Sequence, residues 1–389
     1  MGRRRWISRV ASALVAAALA ASVAPAGATT AAPARNAQGA SGIATFRYTQ
    51  EDTGTIEPGA TIEELGSFAL VGDFAGDDSP VGNLDDIFWF TGGPGIDTLV
   101  RTEGDRTTTV VSTHRVNGHY SPIVGSFAGD DGKDDIFWYA PGPAPDYLWD
   151  FEGDGTFTER RYQVNGTYDP VVMEVTADGG SDIIWYAPGT RPDAWWDFDA
   201  SGHFADRPVR IDGHYRPVVG TFRSNAPGRA YDNIIWYAPG PATDWWWEFS
   251  TTQYWSRPLR IDGDYTPIAG DFTGDDYEDV LWYGIGGLPD HLWDIGPYRQ
   301  WEDVPVNVGG VYTPFVGTFF DEDGPRVDDI VWYGHGPVPD HLWDHHPGGG
   351  RTSMPITLDG FSDPGIGRFA IVDDAGTPRT GLDLLDRNP

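Results

Sequence analysis

Short apolar stretches alternate with turn-forming residues along most of this chain, and the pattern returns about every 48 residues. Gly, Pro, Asn and Asp separate the stretches, and no window shows a sustained helical period, so the pattern predicts β-strands. The most regular stretch reads Ile-x-Trp-Tyr or a close variant. Its copies lie 46 to 51 residues apart, and their tryptophans are Trp89, Trp138, Trp185, Trp236, Trp282 and Trp332. A repeat of this length is typical of propellers and solenoid arrays.

One repeat, residues 119–166, shows how the period is filled. Its pattern predicts four strands, and the Asn165-Gly166 step that follows them supplies the positive φ of a tight reversal. Strands and loops of ordinary length use up the whole period, which leaves no space for a crossover helix. Each unit is therefore predicted to be an antiparallel meander, here with strands at 120–127, 135–139, 146–151 and 156–164.

The second strand of each unit is apolar on both faces, so both faces must be covered. Sheets that stack around an axis provide this cover and leave only short edges. The last unit is incomplete: 363–366 and 381–386 resemble first and second strands, whereas 43–50 and 60–66 resemble the missing third and fourth. The sequence thus predicts an all-β protein, a seven-bladed β-propeller of four-stranded antiparallel blades, whose last blade is shared by the N- and C-termini.

A segment before the repeats has the pattern of a secretory signal peptide. Three arginines at positions 3–5 precede an apolar run over 11–24, and 26–28 supply small residues for cleavage. The run is short for a membrane span, so we expect residues 1–28 to be removed after Ala28. The mature protein is then secreted or associated with the cell surface. The arginines leave two export routes open, the general secretory route and the twin-arginine route.

The remaining chain divides into a linker and one domain. Small polar residues without periodicity over 29–41 predict a disordered linker, and 42–389 form the propeller. Its repeats are expected at about 66–118, 119–166, 167–213, 214–263, 264–310, 311–360, and 361–389 closed by 42–65.

The chain is strongly acidic and contains no cysteine. It has 58 Asp and Glu against 26 Lys and Arg, and Lys133 is its only lysine. Removal of residues 1–28 takes away four arginines and leaves a net charge of −36. Binding to nucleic acid requires a basic footprint and is excluded on this charge. No later stretch is long enough to insert into a membrane. Without disulfides, the exported domain must be held together by its core.

The fifth repeat contains an acid-rich loop, which runs from Gly270 to Asp279 and reads Gly-Asp-Phe-Thr-Gly-Asp-Asp-Tyr-Glu-Asp. This loop resembles the FG-GAP or VCBS repeat of integrin-α-type propellers, and the resemblance extends from about Gly42 to the C-terminus. It implies a seven-bladed propeller whose loops hold structural calcium through oxygens at alternating positions. The ligands that it implies in this repeat are Asp271, Thr273, Asp275 and Asp279.

Two other repeats carry the same pattern less completely. The third has Glu174, Thr176, Asp178 and Asp182, and the first has Asp73, Asp77 and Asp86 with extra residues between them. Ca²⁺ takes six to eight hard oxygen ligands, which such loops can supply. The pattern also departs from the family, because Asp276 replaces a glycine and Arg223 in the fourth repeat would repel a cation. The alternative interpretation is a set of solvated Asp-Gly turns without metal.

Seventeen tryptophans raise the question of a carbohydrate ligand. The Trp-Tyr pairs of the second strands are predicted to pack in the core between blades. Third-strand tryptophans are less regular, and three in a row cannot all enter one layer, because successive residues of a strand face opposite sides. We therefore expect an exposed, ligand-binding tryptophan among Trp195, Trp196, Trp245, Trp246 and Trp247. The alternative is that these indoles lie half-buried over neighbouring blades.

Acids at repeated positions are typical of a structural role, whereas catalysis needs one distinct constellation. The sequence has no G-x-S-x-G elbow, phosphate loop, zinc helix motif or nucleophilic cysteine. No catalytic residue is assigned. The leading hypothesis is a secreted, non-catalytic propeller that binds an extracellular protein or glycan through its loops, with turns stabilised by calcium. The alternative is an extracellular propeller enzyme, a hydrolase or lyase acting on polysaccharide.

Overall fold

The computed structural model describes residues 41–50, 55–65, 68–76, 84–102, 108–128, 132–176, 180–222, 232–250, 253–284, 287–296, 301–319, 327–334, 337–356, 364–372 and 378–386. For residues 41–50, 55–65, 68, 364–372 and 378–386 it describes the backbone alone. The predicted signal peptide at 1–28 and the linker at 29–41, except for its last residue, lie outside these residues.

The described secondary structure is entirely β, and no helix that could span a membrane occurs in these residues. The chain ends contain β1 (Ser41–Gln50), β2 (Thr55–Leu65), β27 (Pro364–Val372) and β28 (Pro378–Asp386). Blade 1 consists of β3 (Phe68–Gly72), β4 (Asp86–Phe90), β5 (Asp97–Thr102) and β6 (Thr108–His114); blade 2 of β7 (Ser121–Gly125), β8 (Asp135–Tyr139), β9 (Asp146–Phe151) and β10 (Phe157–Tyr162); and blade 3 of β11 (Asp169–Met173), β12 (Asp182–Tyr186), β13 (Asp193–Phe198) and β14 (Phe204–Val209).

The second half of the chain continues in the same way. Blade 4 consists of β15 (Arg216–Gly220), β16 (Asn233–Tyr237), β17 (Asp244–Ser250) and β18 (Gln253–Leu259); blade 5 of β19 (Tyr265–Gly270), β20 (Asp279–Gly284), β21 (Asp290–Ile295) and β22 (Trp301–Val306); and blade 6 of β23 (Tyr312–Gly317), β24 (Asp329–Gly334), β25 (Asp340–His346) and β26 (Gly350–Ile356).

These six sheets form a β-propeller. Each contains four strands that pair antiparallel in chain order. The first strands of neighbouring blades contact each other, for example β3 with β7 and β15 with β19, so the first strand is the innermost one. The prediction of an all-β propeller with four-stranded antiparallel blades is confirmed for these six blades. The chain ends pair separately, in the order β27-β28-β1-β2. The count of seven blades stays a prediction.

Blade 2 shows how far the strand prediction holds. The second and third strands occupy the predicted residues, whereas β7 and β10 are shorter at their ends. Phe127 N–H donates to the Asp135 carboxylate at 2.8 Å, and Thr156 N–H donates to Asp154 at 2.9 Å. The N–H groups of these end residues donate to side chains, and the carbonyl of Thr156 accepts the Glu152 N–H at 3.0 Å in the turn, so the regular strand pairing stops before them.

The core lies between the blades. All five residues of β8, β12 and β16 are buried, which agrees with the apolar character of both faces. Tyrosines of one blade pack on the motif tryptophan of the next, as in Tyr139 on Trp185 at 5.0 Å and Tyr237 on Trp282 at 5.1 Å between ring centroids. The prediction that the Trp-Tyr pairs pack between blades is confirmed, and burial of such rings is a dominant stabilising contribution.

Candidate functional site

The loop that joins the first two strands of a blade, here called the inner loop, is attached to the following blade. Asp271 N–H donates to the Asp328 carboxylate at 2.9 Å, and Asp328 N–H donates to the Asp271 carbonyl at 2.7 Å. The same reciprocal pair of hydrogen bonds recurs at four other blade junctions, between Asp73 and Asp134, Ser126 and Ser181, Glu174 and Asp232, and Thr221 and Glu278. The repeat therefore places the inner loops of blades 1 to 5 on one face of the propeller.

The inner loop of blade 5 is wound around the carboxylate of Asp271. This carboxylate accepts the N–H groups of Gly274 at 2.7 Å, Asp275 at 3.2 Å and Asp276 at 3.0 Å. Asp276, which stands where the family has glycine, has a φ of 69°. Aspartate tolerates this left-handed conformation better than most residues. Asp276 thus adopts a backbone shape that glycine would also allow.

Carboxyl groups in this loop hold their protons more tightly than free ones. Burial raises the pKa of Asp271 to about 6 and that of Asp279 to about 8. The neighbouring acids add to this effect, namely Asp328 and Asp275 at Asp271, and Asp294 at Asp279. Burial and the charge of Asp294 also raise the pKa of Asp275. A cation in this loop would reverse these shifts, because it favours the ionised form.

The loop also contains an unsatisfied oxygen. Thr273 is 7% exposed, and its hydroxyl group has no hydrogen-bond partner. Thr176, at the same position of the third repeat, has an equally unsatisfied hydroxyl group. Buried polar atoms normally have a partner, so both oxygens suit a ligand role. However, no three or more Asp, Glu, His or Cys side chains in the described residues are gathered closely enough to hold a metal ion.

The other two predicted calcium loops are described only in part. Asp77 and Asp178 lie outside the described residues. In the first repeat, Asp73 is buried and forms an ion pair with Lys133, with Oδ1 and Nζ 2.7 Å apart. In the third repeat, Glu174 N–H donates to Asp232 at 2.8 Å. The first repeat therefore already has a cation at its leading acid.

The last acid of each predicted calcium set is the first residue of the second strand. Its carboxylate accepts hydrogen bonds from two backbone N–H groups. Asp279 accepts N–H groups from Phe272 at 3.0 Å and Ile295 at 2.8 Å. Asp86 and Asp182 make the same pair of bonds, to Ala75 and Thr102 and to Val175 and Phe198. Asp135 and Asp329 do so in blades 2 and 6, whose loops lack the calcium pattern. An acid at this position is therefore a feature of the blade fold and is not by itself evidence of a metal site.

The expectation of an exposed tryptophan in the third strands is wrong for four of the five residues. Trp195, Trp196, Trp246 and Trp247 are at most 6% exposed, and only Trp245 is partly exposed. Two of them fill a position that holds leucine in other blades, and each has an arginine over its ring: Arg207 at 5.1 Å from Trp195, and Arg257 at 4.2 Å from Trp246. The other two stack on Phe204 and Tyr254 of their own blades. The run of tryptophans is accommodated because its members face two different blade interfaces.

A groove lies between blades 4 and 5, with a cavity volume of about 470 Å³. Its walls are aromatic and apolar, with a hydroxyl and a guanidinium group among them. It is lined by Pro241, Ala242, Thr243, Pro258, Leu259, Arg260, Trp293 and Trp301. Arg260 forms an ion pair with Asp262 at 2.9 Å, so the polar end of the groove is close to electrically neutral.

Sequence reasoning missed Trp301, because the first residue of a fourth strand is aromatic in several blades. Phe157, Phe204 and Tyr254 stack on the third-strand tryptophan at 3.9 to 4.1 Å between centroids, whereas Trp301 lies 4.8 Å from Trp293. The sequence did carry a signal, because blade 5 has a tryptophan at a position where other blades have phenylalanine or tyrosine. A tryptophan that is exposed in the described part of the chain was also missed: Trp255, in the fourth strand of blade 4, is 48% exposed.

A comparison of this chain with known protein-family models finds no match, and a comparison with curated proteins finds no similar sequence.

Proposed function

We propose that this protein is a secreted, non-catalytic β-propeller that binds an extracellular glycan in the groove between blades 4 and 5. The observation that carries the proposal is the groove itself, whose volume of about 470 Å³ is in the range of small-ligand sites. Its lining combines indole and proline surfaces with a few polar groups, which is the usual composition of such sites.

A sugar ring matches this lining. Its C–H faces can lie on the half-buried ring of Trp301, and its hydroxyl groups can bond to Thr243 and Arg260. The net charge, −32 for the full chain and −36 after removal of residues 1–28, repels acidic polymers. Arg260 is already paired with Asp262, so the groove offers little attraction to an anion. These points favour a neutral glycan over an acidic polysaccharide, and a small ligand over a protein.

The repeated acids support a non-catalytic role. Carboxylates that begin the second strand accept backbone N–H groups in five of the blades, as Asp279 does from Phe272 and Ile295. Those that begin the third strand accept two more, as Asp290 does from Gly284 and Val308, both at 2.8 Å. Carboxylates with these backbone partners stabilise the loops, whereas a glycan hydrolase needs two carboxyl groups that face the sugar.

Calcium in the inner loop of blade 5 is a second part of the proposal, in line with the resemblance to FG-GAP or VCBS repeats. Asp271, Asp275 and the unsatisfied hydroxyl group of Thr273 would hold the ion, with further oxygens from the backbone and water. Bound calcium would stabilise the loop by offsetting the repulsion among its acids.

A ring of seven blades is the third part. The backbone of β27 contacts both β23 and β3, the first strands of blades 6 and 1, and β28 pairs with β1 at Phe46 and Leu385. This arrangement supports a seventh blade shared by the two chain ends. Deletion of 378–389 tests it, because loss of a closing blade lowers the thermal stability of the whole ring, whereas an unchanged melting temperature would rule closure out.

The binding proposal is tested on a glycan array and then by titration with the best neutral glycan. Trp301→Phe is the informative variant, because Phe157 and Phe204 fill this position in other blades and the fold tolerates the smaller ring. It is expected to weaken binding roughly fivefold through the loss of about 1 kcal/mol of stacking. Trp255→Ala is the matched control, since Trp255 is exposed and lies outside the groove.

Three results would contradict the proposal. Equal affinities of Trp301→Phe and the parent would move the site elsewhere. Binding to extracellular proteins without binding to any glycan on the array would show that the ligand is a protein. New reducing ends or unsaturated products after incubation with polysaccharides would show an enzyme.

A further inference from the structure

The inner loops of blades 1 and 5 begin with similar sequences and share their first backbone contacts, although the loop of blade 1 is longer. Asp73-Phe74-Ala75-Gly76 corresponds to Asp271-Phe272-Thr273-Gly274. In both loops the phenylalanine N–H donates to the carbonyl of the preceding Gly at 3.1 Å. The leading aspartate N–H donates to an acid of the next blade at 2.9 Å in both. The two loops can therefore be compared over these four positions.

They differ in the residue that the next blade places against them. Lys133 precedes Asp134, and Val327 precedes Asp328, so the two side chains occupy corresponding positions. A methyl group added to Gly76 would come within 3.3 Å of Lys133 Nζ, and one added to Gly274 within 2.9 Å of Val327 Cγ2. One loop thus meets an ammonium group at the point where the other meets an apolar side chain.

The ammonium group neutralises the leading acid of blade 1. Lys133 Nζ lies 2.7 Å from Asp73 Oδ1, and the two side chains are only 12% and 10% exposed. In blade 5 the charges that act on Asp271 are those of Asp328 and Asp275, which have the same sign as its own. The buried hydroxyl group of Thr273 has no partner there. The blade 1 loop thus has a cation built into the chain, whereas the groups that act on Asp271 in the blade 5 loop are acids.

We propose that the Lys133 ammonium group takes, at the inner loop of blade 1, the place that a calcium ion takes at the inner loop of blade 5. Blade 1 is then stable without calcium, and blade 5 is the calcium-responsive copy. The blade 5 half of this inference rests on the proposed function, whereas the blade 1 half rests on the ion pair between Lys133 and Asp73. A lysine provides a single point charge with three donors, and Ca²⁺ provides two charges to several oxygens.

The test compares Lys133→Met with Lys133→Arg. Melting temperature is measured in EDTA and in excess calcium, and the number of bound calcium ions is measured by calorimetric titration. Lys133→Met removes the charge and keeps most of the volume. It is expected to melt below the parent in EDTA, to regain stability in calcium, and to bind one more ion than the parent. Lys133→Arg keeps the charge and is expected to match the parent in ion number.

The outcomes separate the two ideas. A parent that responds to calcium together with a Lys133→Met variant that binds no extra ion would overturn the inference and leave calcium in blade 5 intact. A variant that responds while the parent does not would support the lysine's role and remove calcium from blade 5. If neither protein responds, or if Lys133→Arg gains an ion as Lys133→Met does, the inference fails.

The reciprocal change adds an independent measurement. Val327→Lys is expected to remove the calcium response of blade 5, with Val327→Met as the control for volume. Because Val327 is fully buried, Lys133→Met decides the question if Val327→Lys does not fold.

Discussion

The hydroxyl group of Tyr237 binds the start of the next blade at Tyr265. It accepts the Tyr265 N–H at 2.8 Å and donates to the Gly263 carbonyl at 2.9 Å. The same bridge recurs at three other junctions, from Tyr139 to Tyr168, Tyr186 to Tyr215, and Tyr283 to Tyr312. The tyrosine of the Ile-x-Trp-Tyr motif therefore has two functions, because its ring packs in the core and its hydroxyl group sets where the next blade begins.

Tyr237→Phe is expected to lower the free energy of unfolding by about 1 kcal/mol, since it leaves the buried Tyr265 N–H without this partner. The fold accepts the change, because Phe90 holds the corresponding position in blade 1. Chemical denaturation measures the effect. Tyr277→Phe is the control, since the described hydrogen bond of Tyr277 is made by its backbone N–H. Equal losses in the two variants would contradict a role for the bridge.

Gly263→Ala is expected to destabilise the same junction by about 1 to 3 kcal/mol. The backbone φ of Gly263 is 151°, and an added Cβ would lie 2.3 Å from the ring of Tyr265. Gly296→Ala is the matched control, because an added Cβ at Gly296 meets no atom of the described residues within 4 Å. Melting temperatures of the two variants are compared, and a Gly263→Ala protein as stable as Gly296→Ala would show that the junction has room to adjust.

His345→Phe is expected to stabilise the protein in acid. Phe151, Phe198 and Phe249 hold the corresponding third-strand position in other blades, whereas His345 is 2% exposed with an unsatisfied Nδ1. Burial lowers the pKa of His345 to about 4. Between pH 6.5 and 4 the unfolded chain therefore binds a proton that the folded protein does not.

This difference removes up to about 3 kcal/mol of stability as the pH falls through that window. Denaturation of parent and His345→Phe at pH 7.5 and pH 4.5 measures it, with the advantage of phenylalanine larger at the lower pH. An advantage that is the same at both pH values would contradict a neutral buried imidazole.

Asp279→Asn is expected to flatten the pH dependence of stability in EDTA. Burial raises the pKa of Asp279 to about 8 from 3.8, so the folded protein keeps a proton that the unfolded chain releases. Stability from this group is complete below pH 3.8 and declines by about 1.4 kcal/mol per pH unit as the pH rises toward 8. The asparagine variant does not titrate, so its stability lacks this decline with rising pH.

Blade 4 provides the reciprocal experiment, because Asn233 begins its second strand and is 2% exposed. Asn233→Asp is expected to add a decline of stability with rising pH. Parallel slopes for the parent, Asp279→Asn and Asn233→Asp would show that these positions remain in contact with solvent.

The repeat alone determined the propeller class and much of its local structure. The apolar Ile-x-Trp-Tyr stretch predicted a strand covered on both faces, and β8 and β9 lie at the residues expected from the pattern. This succeeded because strand pairing within a blade is local and each blade repeats the same solution. The resemblance to FG-GAP or VCBS repeats indicated the acid-rich loop of blade 5 as a calcium site, which stays a prediction.

Contacts between blades were decided only by the tertiary structure. Lys133 and Asp73 are 60 residues apart and meet because one blade's loop reaches the next. The burial of Trp246 and the exposure of Trp255 depend on which face of each strand meets a neighbouring blade. The groove at Trp301 depends on the space left between two sheets. A period in the sequence fixes what each blade is made of, but the packing of one blade on another determines which of its side chains remain accessible to a ligand.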